Sequence, residues 1–197
     1  MYSFIKRVFD ILGALALLPI VLLVVMVFAP IIWLTDRGPV FYNAERMGRN
    51  GKIFKMFKLR SMYVNAPDLR NEDGSTFNSD SDPRVTPIGK ILRKTSLDEL
   101  PQIINVLLGD MSFVGPRPSL TTTPYSEYDP VRIKRVSVRP GITGYSQAYF
   151  RNSISQEEKF KEDANYVDNI SIWLDIKILL KTIMAVLYRE NIYSTNN

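Results

Sequence analysis

The chain has 197 residues, 46% hydrophobic and 23% charged, with a formal net charge of +5. That is enough for one domain with a real core, and not the composition of a disordered chain. It holds no Cys and no His, which excludes disulfides, a thiolate nucleophile, a zinc ribbon, a Ser-His-Asp triad and any imidazole metal site. Acid-base or nucleophilic work therefore falls to Asp, Glu, Lys, Tyr or hydroxyls. The basic excess suits nucleic acid, an anionic lipid surface or an anionic substrate. A long apolar segment beside the basic residues favours lipid.

That segment follows Lys6, Arg7 and Asp10, and residues 11–35 carry no charge. It is too long for the apolar region of a secretory signal peptide, and no small-residue cleavage site follows it. A helix of that length spans about 37 Å against roughly 30 Å of hydrocarbon, so it could cross once. Nothing else in the chain is apolar enough for an easy crossing, which excludes a polytopic protein. Pro19 interrupts the run, where it removes one hydrogen bond and crowds the Leu15 carbonyl. Basic residues flank both sides: Lys6 and Arg7 before, Arg37, Arg46, Arg49 and Lys52 after. That pattern gives no clear positive-inside orientation. A helix that enters, breaks at Pro19 and returns to the same face also fits, with arms of about nine and sixteen residues, neither long enough to cross. Pro30 lies close to the exit and steers the last turn. Spanning and re-entrant forms both satisfy the residues.

Gly38-Pro39 marks a turn, and residues 40–42 are a short β-prone run. Residues 53–60 alternate imperfectly as a strand with a basic edge. Lys52, Lys55 and Lys58 are either solvated surface or a strip for phosphates and lipid headgroups. Residues 67–83 are polar and acidic, with Asp68, Glu72, Asp73, Asp80 and Asp82, and read as a surface loop. Asp80-Ser81-Asp82 lacks the further ligands of an EF-hand.

Leu97, Leu100, Ile104, Leu107 and Leu108 recur at helical spacing, with Gly109 as terminator. Ser96 with Glu99 reads as a capping box, so Asp98 and Glu99 can be plain first-turn acids. The same residues permit chemistry. Adjacent acids on a helix point about 100° apart and suit different tasks. One can attack phosphorus while the other holds a metal or manages a proton. A carboxylate is ionised at pH 7 and needs no histidine to activate it. Arg117 sits between Pro116 and Pro118, a stiff setting that suits bidentate phosphate binding and equally a rigid turn.

Taken in order, these strings resemble the bacterial sugar transferase family, the small monotopic phosphoglycosyl transferases that act on polyprenyl phosphate. The matching strings are residues 6–10, Gly38-Pro39-Val40-Phe41, residues 46–52, Phe57-Lys58-Leu59-Arg60-Ser61-Met62, residues 95–100, residues 109–118 and Arg139-Pro140-Gly141-Ile142-Thr143-Gly144. The resemblance covers essentially the whole length. It implies an α+β fold, mainly α. A re-entrant membrane helix broken at Pro19 (residues 1–37) would precede a compact cytosolic catalytic domain (residues 38–197) with short β elements and interfacial amphipathic helices. It implies a monotopic protein of the bacterial cytoplasmic membrane. The implied reaction needs Mg²⁺. Asp98 attacks a UDP-sugar, UMP leaves, and polyprenyl (undecaprenyl) phosphate takes the sugar phosphate from the aspartyl intermediate, the first membrane step of surface glycan assembly. By the same resemblance Glu99 assists as metal ligand or acid-base group, with Asp98 beside it at the metal. Lys58 and Arg60 orient phosphates, and Arg117 with Pro118 contacts the nucleotide. An acetamido sugar is the implied donor, with galactose or glucose open, and downstream glycosyltransferases would use the product. Leu18-Pro19 replaces the family's usual Ser-Pro break and falls a few residues early. The multi-span region of longer members has no counterpart here, so the chain resembles the catalytic unit alone.

Residues 145–151 carry Tyr145, Gln147, Tyr149, Phe150 and Arg151, a packing cluster or a sugar-selecting one. Residues 156–166 read as a charged helix with Glu157 and Lys161 paired one turn apart. Residues 170–188 are apolar but punctuated by Asp175, Lys177 and Lys181, as in an interfacial helix or a core helix. Residues 190–197 read as a frayed tail. Two other classes are consistent with part of the sequence. One is a non-catalytic membrane scaffold in which Asp98 and Glu99 only cap a helix. The other is an anionic-lipid or nucleic-acid binding module on residues 52–60. Nucleic acid is disfavoured, because no nucleic-acid fold motif is present.

Overall fold

A computed structural model describes residues 2–69, 77, 79, 81–151 and 153–187. Glu72, Asp73 and Asp80 of the acidic segment, Tyr188 and the tail from Glu190 lie outside the described residues. The architecture is mainly helical with short β elements, as expected.

Helix α1 (Tyr2–Asp36) holds the apolar run. Asp10, Ala14, Val21, Val24 and Ile32 are its buried residues, and their spacing puts them along one helical stripe. Leu12, Leu22, Leu23, Met26 and Leu34 stay exposed. The helix is long and apolar enough to cross a membrane. Helix α1 runs through both Pro19 and Pro30 as one helix of 35 residues. A proline costs one backbone bond and a local clash. The remaining bonds of an apolar helix face no competing water, so the turn survives.

Both ends of α1 are tied to the rest of the chain. Tyr2 donates to Asp175 Oδ2 at 2.6 Å, and Lys6 pairs with the same carboxylate. Arg7 donates to the carbonyls of Val106 and Leu107. The buried Asp10 Oδ1 accepts from Ser112 Oγ and Phe113 N, each at 3.0 Å. At the far end the Asp36 carboxylate accepts two N–H bonds from Arg60, both 2.6 Å, and one from Val64 N.

Strands β1 (Ala44–Met47) and β2 (Ile53–Met56) form an antiparallel hairpin with Ala44 opposite Met56 and Met47 opposite Ile53. Its turn uses Asn50 and Gly51 at positive φ, the geometry that Asn and Gly reach most cheaply. The expected strand over residues 53–60 is therefore half as long. Among the described residues of 57–60, Leu59 alone forms a bridge, with Phe41. Helix α2 (Pro87–Thr95) starts with Thr86 accepting from Gly89 N and with proline at its first turn, both common start signals. Gly89 lets this turn lie on the Ser61 carbonyl, where a Cβ would come within 1.9 Å. Helix α3 (Gln102–Leu108) packs against α1, with Ile103, Val106 and Met111 meeting Ala14 and Val21 of α1 and Phe54 and Met56 of β2. Strand β3 (Ser112–Val114) runs parallel to β4 (Gly141–Thr143), and α4 (Pro130–Arg135) lies on the connection between them. Helices α5 (Tyr145–Tyr149), α6 (Gln156–Asp168) and α7 (Ile172–Leu187) complete the chain. Helix α6 opens with a full capping box, Ser155 with Glu158, and carries the expected Glu157–Lys161 pair at 2.9 Å. Helix α7 buries Ile178 with Val114, Ala148 and Tyr166. Trp173, Leu180, Ile183 and Met184 of α7 stay exposed.

Candidate active site

The segment between α2 and α3 departs from the expected single helix. Ser96 takes a left-handed conformation and closes α2, and its side chain caps nothing. A 3-10 turn (Leu97–Glu99) follows, and α3 begins only after Pro101. The capping-box reading of Ser96 and Glu99 is thereby corrected. Positive φ at Ser96 reverses the chain and turns its hydroxyl away from the following N–H groups. Asp98 and Glu99 thus sit on a tight turn, with Asp98 only 2% exposed.

The chain around Lys58 is held beside that turn by backbone bonds. Leu59 N donates to the Asp98 carbonyl at 2.9 Å. Asn105, buried on α3, accepts from Phe57 N at 2.9 Å through Oδ1 and donates from Nδ2 to the Lys55 carbonyl at 2.8 Å. One side chain thereby replaces a missing strand partner for residues 55–57. The sequence reading missed Asn105; its only local signal is a polar residue inside an apolar helical pattern.

With the two backbones in register, Lys58 reaches both acids. Its Nζ lies 3.0 Å from Asp98 Oδ2 and donates to Glu99 Oε1 at 3.1 Å. Asp98 Oδ2 is buried, and the Lys58 ammonium is its ion-pair partner. Burial on its own would lower Lys58, but the carboxylates of Glu99 and Asp98 outweigh it and hold the ammonium above its ordinary range. Burial would likewise raise Glu99, and the charges of Lys58, Arg117 and Arg93 hold it below the usual carboxylate range instead. Both groups are charged at neutral pH.

Arg117 is exposed and close enough to act electrostatically on both Lys58 and Glu99. Pro118, half-buried, follows it on the same loop. Arg93, which the sequence reading did not single out, donates to Ser61 Oγ at 3.0 Å and acts on Glu99 from the α2 side. Arg60 is not brought to this group. Its guanidinium is buried at the end of α1, donating to Asp36, Pro39, Met62 and Ile32. Those contacts use its whole set of donors. Pro19 is likewise remote in sequence and lies within α1.

No group of three or more acidic side chains converges among the described residues. A carboxylate pair is still a sufficient protein contribution for Mg²⁺, which keeps several waters and binds through one or two carboxylates plus substrate phosphates. The carboxylates of Asp98 and Glu99, adjacent on one turn, fit such a donor set.

The fold and this site define a membrane-attached, mainly helical protein whose acid pair, Asp98 buried and Glu99 half-buried, is flanked by cations. The chain belongs to the bacterial sugar transferase family, whose model matches residues 1–189. It is 45% identical over 190 residues to the galactosyl transferase CpsE of Streptococcus agalactiae serotype III, covering 92% of this chain and 42% of that protein. It is 41% identical over 192 residues to the uncharacterized sugar transferase EpsL of Bacillus subtilis, covering 98% of this chain and 92% of the relative. It is 40% identical over 192 residues to a UDP-N-acetylgalactosamine-undecaprenyl-phosphate N-acetylgalactosaminephosphotransferase of Aeromonas hydrophila, covering 94% of this chain and 44% of that protein. The chain thus spans less than half of two of these relatives and nearly all of the other.

Proposed function

We propose that this protein transfers a sugar 1-phosphate from a UDP-sugar to polyprenyl phosphate and releases UMP. The observation that carries the reading is the Asp98 carboxylate: buried, with Oδ2 paired at 3.0 Å to the Lys58 ammonium, beside Glu99 on the same turn. In the first step an Asp98 oxygen bonds to the sugar-bearing phosphorus. The bond from that phosphorus to the oxygen bridging the diphosphate breaks, and UMP leaves with the electron pair. In the second step a phosphate oxygen of the polyprenyl phosphate attacks the same phosphorus. The Asp98–phosphorus bond breaks and the carboxylate is restored. Neither step needs a histidine, which suits a chain that has none.

Lys58 and Arg117 supply fixed positive charge where the diphosphate would lie, the form of stabilisation that most helps phosphoryl transfer. Glu99, with Asp98 and the donor's phosphate oxygens, would hold Mg²⁺, which when bound offsets diphosphate charge. The remote Arg60 serves in this reading as an anchor for α1. Residues 1–37 form the membrane segment and residues 38–197 the catalytic part, working as one unit on the cytoplasmic face where UDP-sugars are made. The names of relatives point to galactose and N-acetylgalactosamine as the first donors to try. The lipid product would pass to further glycosyltransferases.

UMP release tests this directly, with the protein in lipid nanodiscs, Mg²⁺, undecaprenyl phosphate and UDP-sugars supplied one at a time. Release is expected from a defined donor. Without acceptor, intact-protein mass should rise by one sugar phosphate, and Asp98→Asn should abolish both signals. UMP release at the parental rate from that variant would remove Asp98 as nucleophile. Silence of the folded parent across the panel would favour a non-catalytic scaffold.

A further inference from the structure

Arg135 at the end of α4 and Asp163 on α6 form a buried ion pair, Nε to Oδ2 2.9 Å, with side chains 4% and 1% exposed. Such a pair contributes little net stability, because desolvation consumes most of the Coulomb gain. Its geometry suggests another use. The same guanidinium makes two further bonds: Nη1 donates to Ser119 Oγ and Nη2 to the Arg117 carbonyl. The Phe160 ring covers its face at 4.6 Å. The second Asp163 oxygen accepts from Ser146 N on α5 at 3.4 Å. The Ser119 carbonyl in turn accepts from Met47 N at the end of β1.

The loop so gripped is Pro116-Arg117-Pro118, which has few backbone donors of its own because proline has no N–H. Pro116 and Arg117 offer carbonyls, and both are taken: Pro116 by Gly141 N at 3.0 Å, Arg117 by Arg135. Arg117 lies near enough to Lys58 and Glu99 to act electrostatically on both. A guanidinium fork can hold a carboxylate, a hydroxyl and a carbonyl at once in one plane; a lysine ammonium cannot reproduce that shape.

We infer that Arg135, held by Asp163, is a positioning residue for the transfer: it fixes the Arg117 backbone and so sets where the Arg117 guanidinium meets the donor. This rests on the reading of Arg117 as a donor contact. Arg135 touches no substrate and acts only through the loop.

The two half-reactions separate this role from a structural one. With the whole chain in nanodiscs, kcat/KM is measured for the UDP-sugar and for undecaprenyl phosphate, in the parent and in an Arg117→Ala background. Arg135→Lys keeps the charge opposite Asp163 and loses the fork. It is expected to lower kcat/KM for the donor about tenfold, the loss of a charge-assisted hydrogen bond, and to leave the acceptor value unchanged. In the Arg117→Ala background it should have no further effect. Equal losses in both half-reactions, or the same loss in both backgrounds, would overturn the inference. Ser119→Ala trims one arm without touching the ion pair, which guards against a variant that does not fold. It should give a smaller loss in the donor step alone, again absent without Arg117, and a loss that persists there counts against the clamp. If Arg117→Ala itself leaves the donor value intact, Arg117 is not a donor contact and the clamp has no role in catalysis. That result is read independently of Arg135.

Discussion

Lys58 supplies one positive charge to two acids in a site largely closed to water. Replacing it with Met would leave Asp98 and Glu99 side by side without their shared ion-pair partner, with only the more distant charges of Arg117 and Arg93 acting on Glu99. The expected cost is about 3 kcal/mol, the low end for breaking a buried pair, because Lys58 keeps 22% of its side chain exposed. A urea titration should show the drop, and UMP release should vanish. Lys58→Arg should recover most of the stability and only part of the activity, since a flat fork cannot occupy the point where the ammonium meets both acids. The pH behaviour follows from the same charges. The folded-state value of Glu99 is lowered, so its contribution to stability is complete above about pH 4.3 and is lost as pH falls through the lower folded value. The folded-state value of Lys58 is raised, so its contribution is complete below about pH 10.4 and is lost only as pH rises through that higher value. Between those limits neither group changes charge. UMP release is therefore expected to show no limb from this pair between about pH 6 and 9. An acid limb near neutrality that disappears in Glu99→Gln would contradict the direction assigned to Glu99.

At the level of elements, α3 is more than a core helix because Asn105 holds the chain that carries Lys58. Asn105→Leu would remove the partner of Phe57 N–H and of the Lys55 carbonyl, two part-buried bonds worth about 1 kcal/mol each. Both the denaturation midpoint and UMP release should fall. Asn105→Asp keeps the acceptor for Phe57 and loses the donor for Lys55, so it should fall between. A leucine variant with parental activity would mean that the Lys58 segment holds itself in place. This case also marks the limit of reading the sequence. The apolar period of residues 97–108 revealed a helix, and the adjacent acids with the downstream Pro-Arg-Pro string revealed candidate chemistry. The bonds between Asn105 and residues 55–57 join positions about fifty apart in the chain, and no local period encodes them. Lys58 and Arg60, two apart, would share a face of an extended strand. Regular pairing ends at Met56, so that rule lapses, and Arg60 turns to Asp36 while Lys58 turns to Asp98. Ser96 with Glu99 and Ser155 with Glu158 show the same spacing, and only the second forms a box. The difference is the chain reversal at Ser96, imposed by packing α2 against residues 58–61.

For the whole molecule, the question is how α1 meets the bilayer. A stripe from Asp10 to Ile32 lies on the domain, while residues such as Leu12, Leu23 and Met26 face outward. Polar docks hold both ends: Tyr2 and Lys6 at Asp175, and Asp36 at Arg60. A spanning α1 would place those two docks on opposite sides of roughly 30 Å of hydrocarbon. The domain that supplies both would have to cross with it, and its charged surface forbids that. Both ends of α1 are therefore expected on the face that carries Asp98. The natural lack of cysteine makes the test clean. Single Ser3→Cys, Arg37→Cys and Ser137→Cys variants in sealed, oriented vesicles should all react with a membrane-impermeant maleimide from one side. Protection of the residue-3 position with reaction at residue 137 would establish a spanning helix. Pro19→Ala should leave the pattern unchanged, because the docks rather than the proline fix the ends. Asp36→Ala should matter more: it removes the carboxylate that holds Arg60 and Val64, strands a buried guanidinium and loosens the exit of α1. Faster labelling at residue 37, with residue 3 unaffected, would show that each end of the helix is held by its own dock.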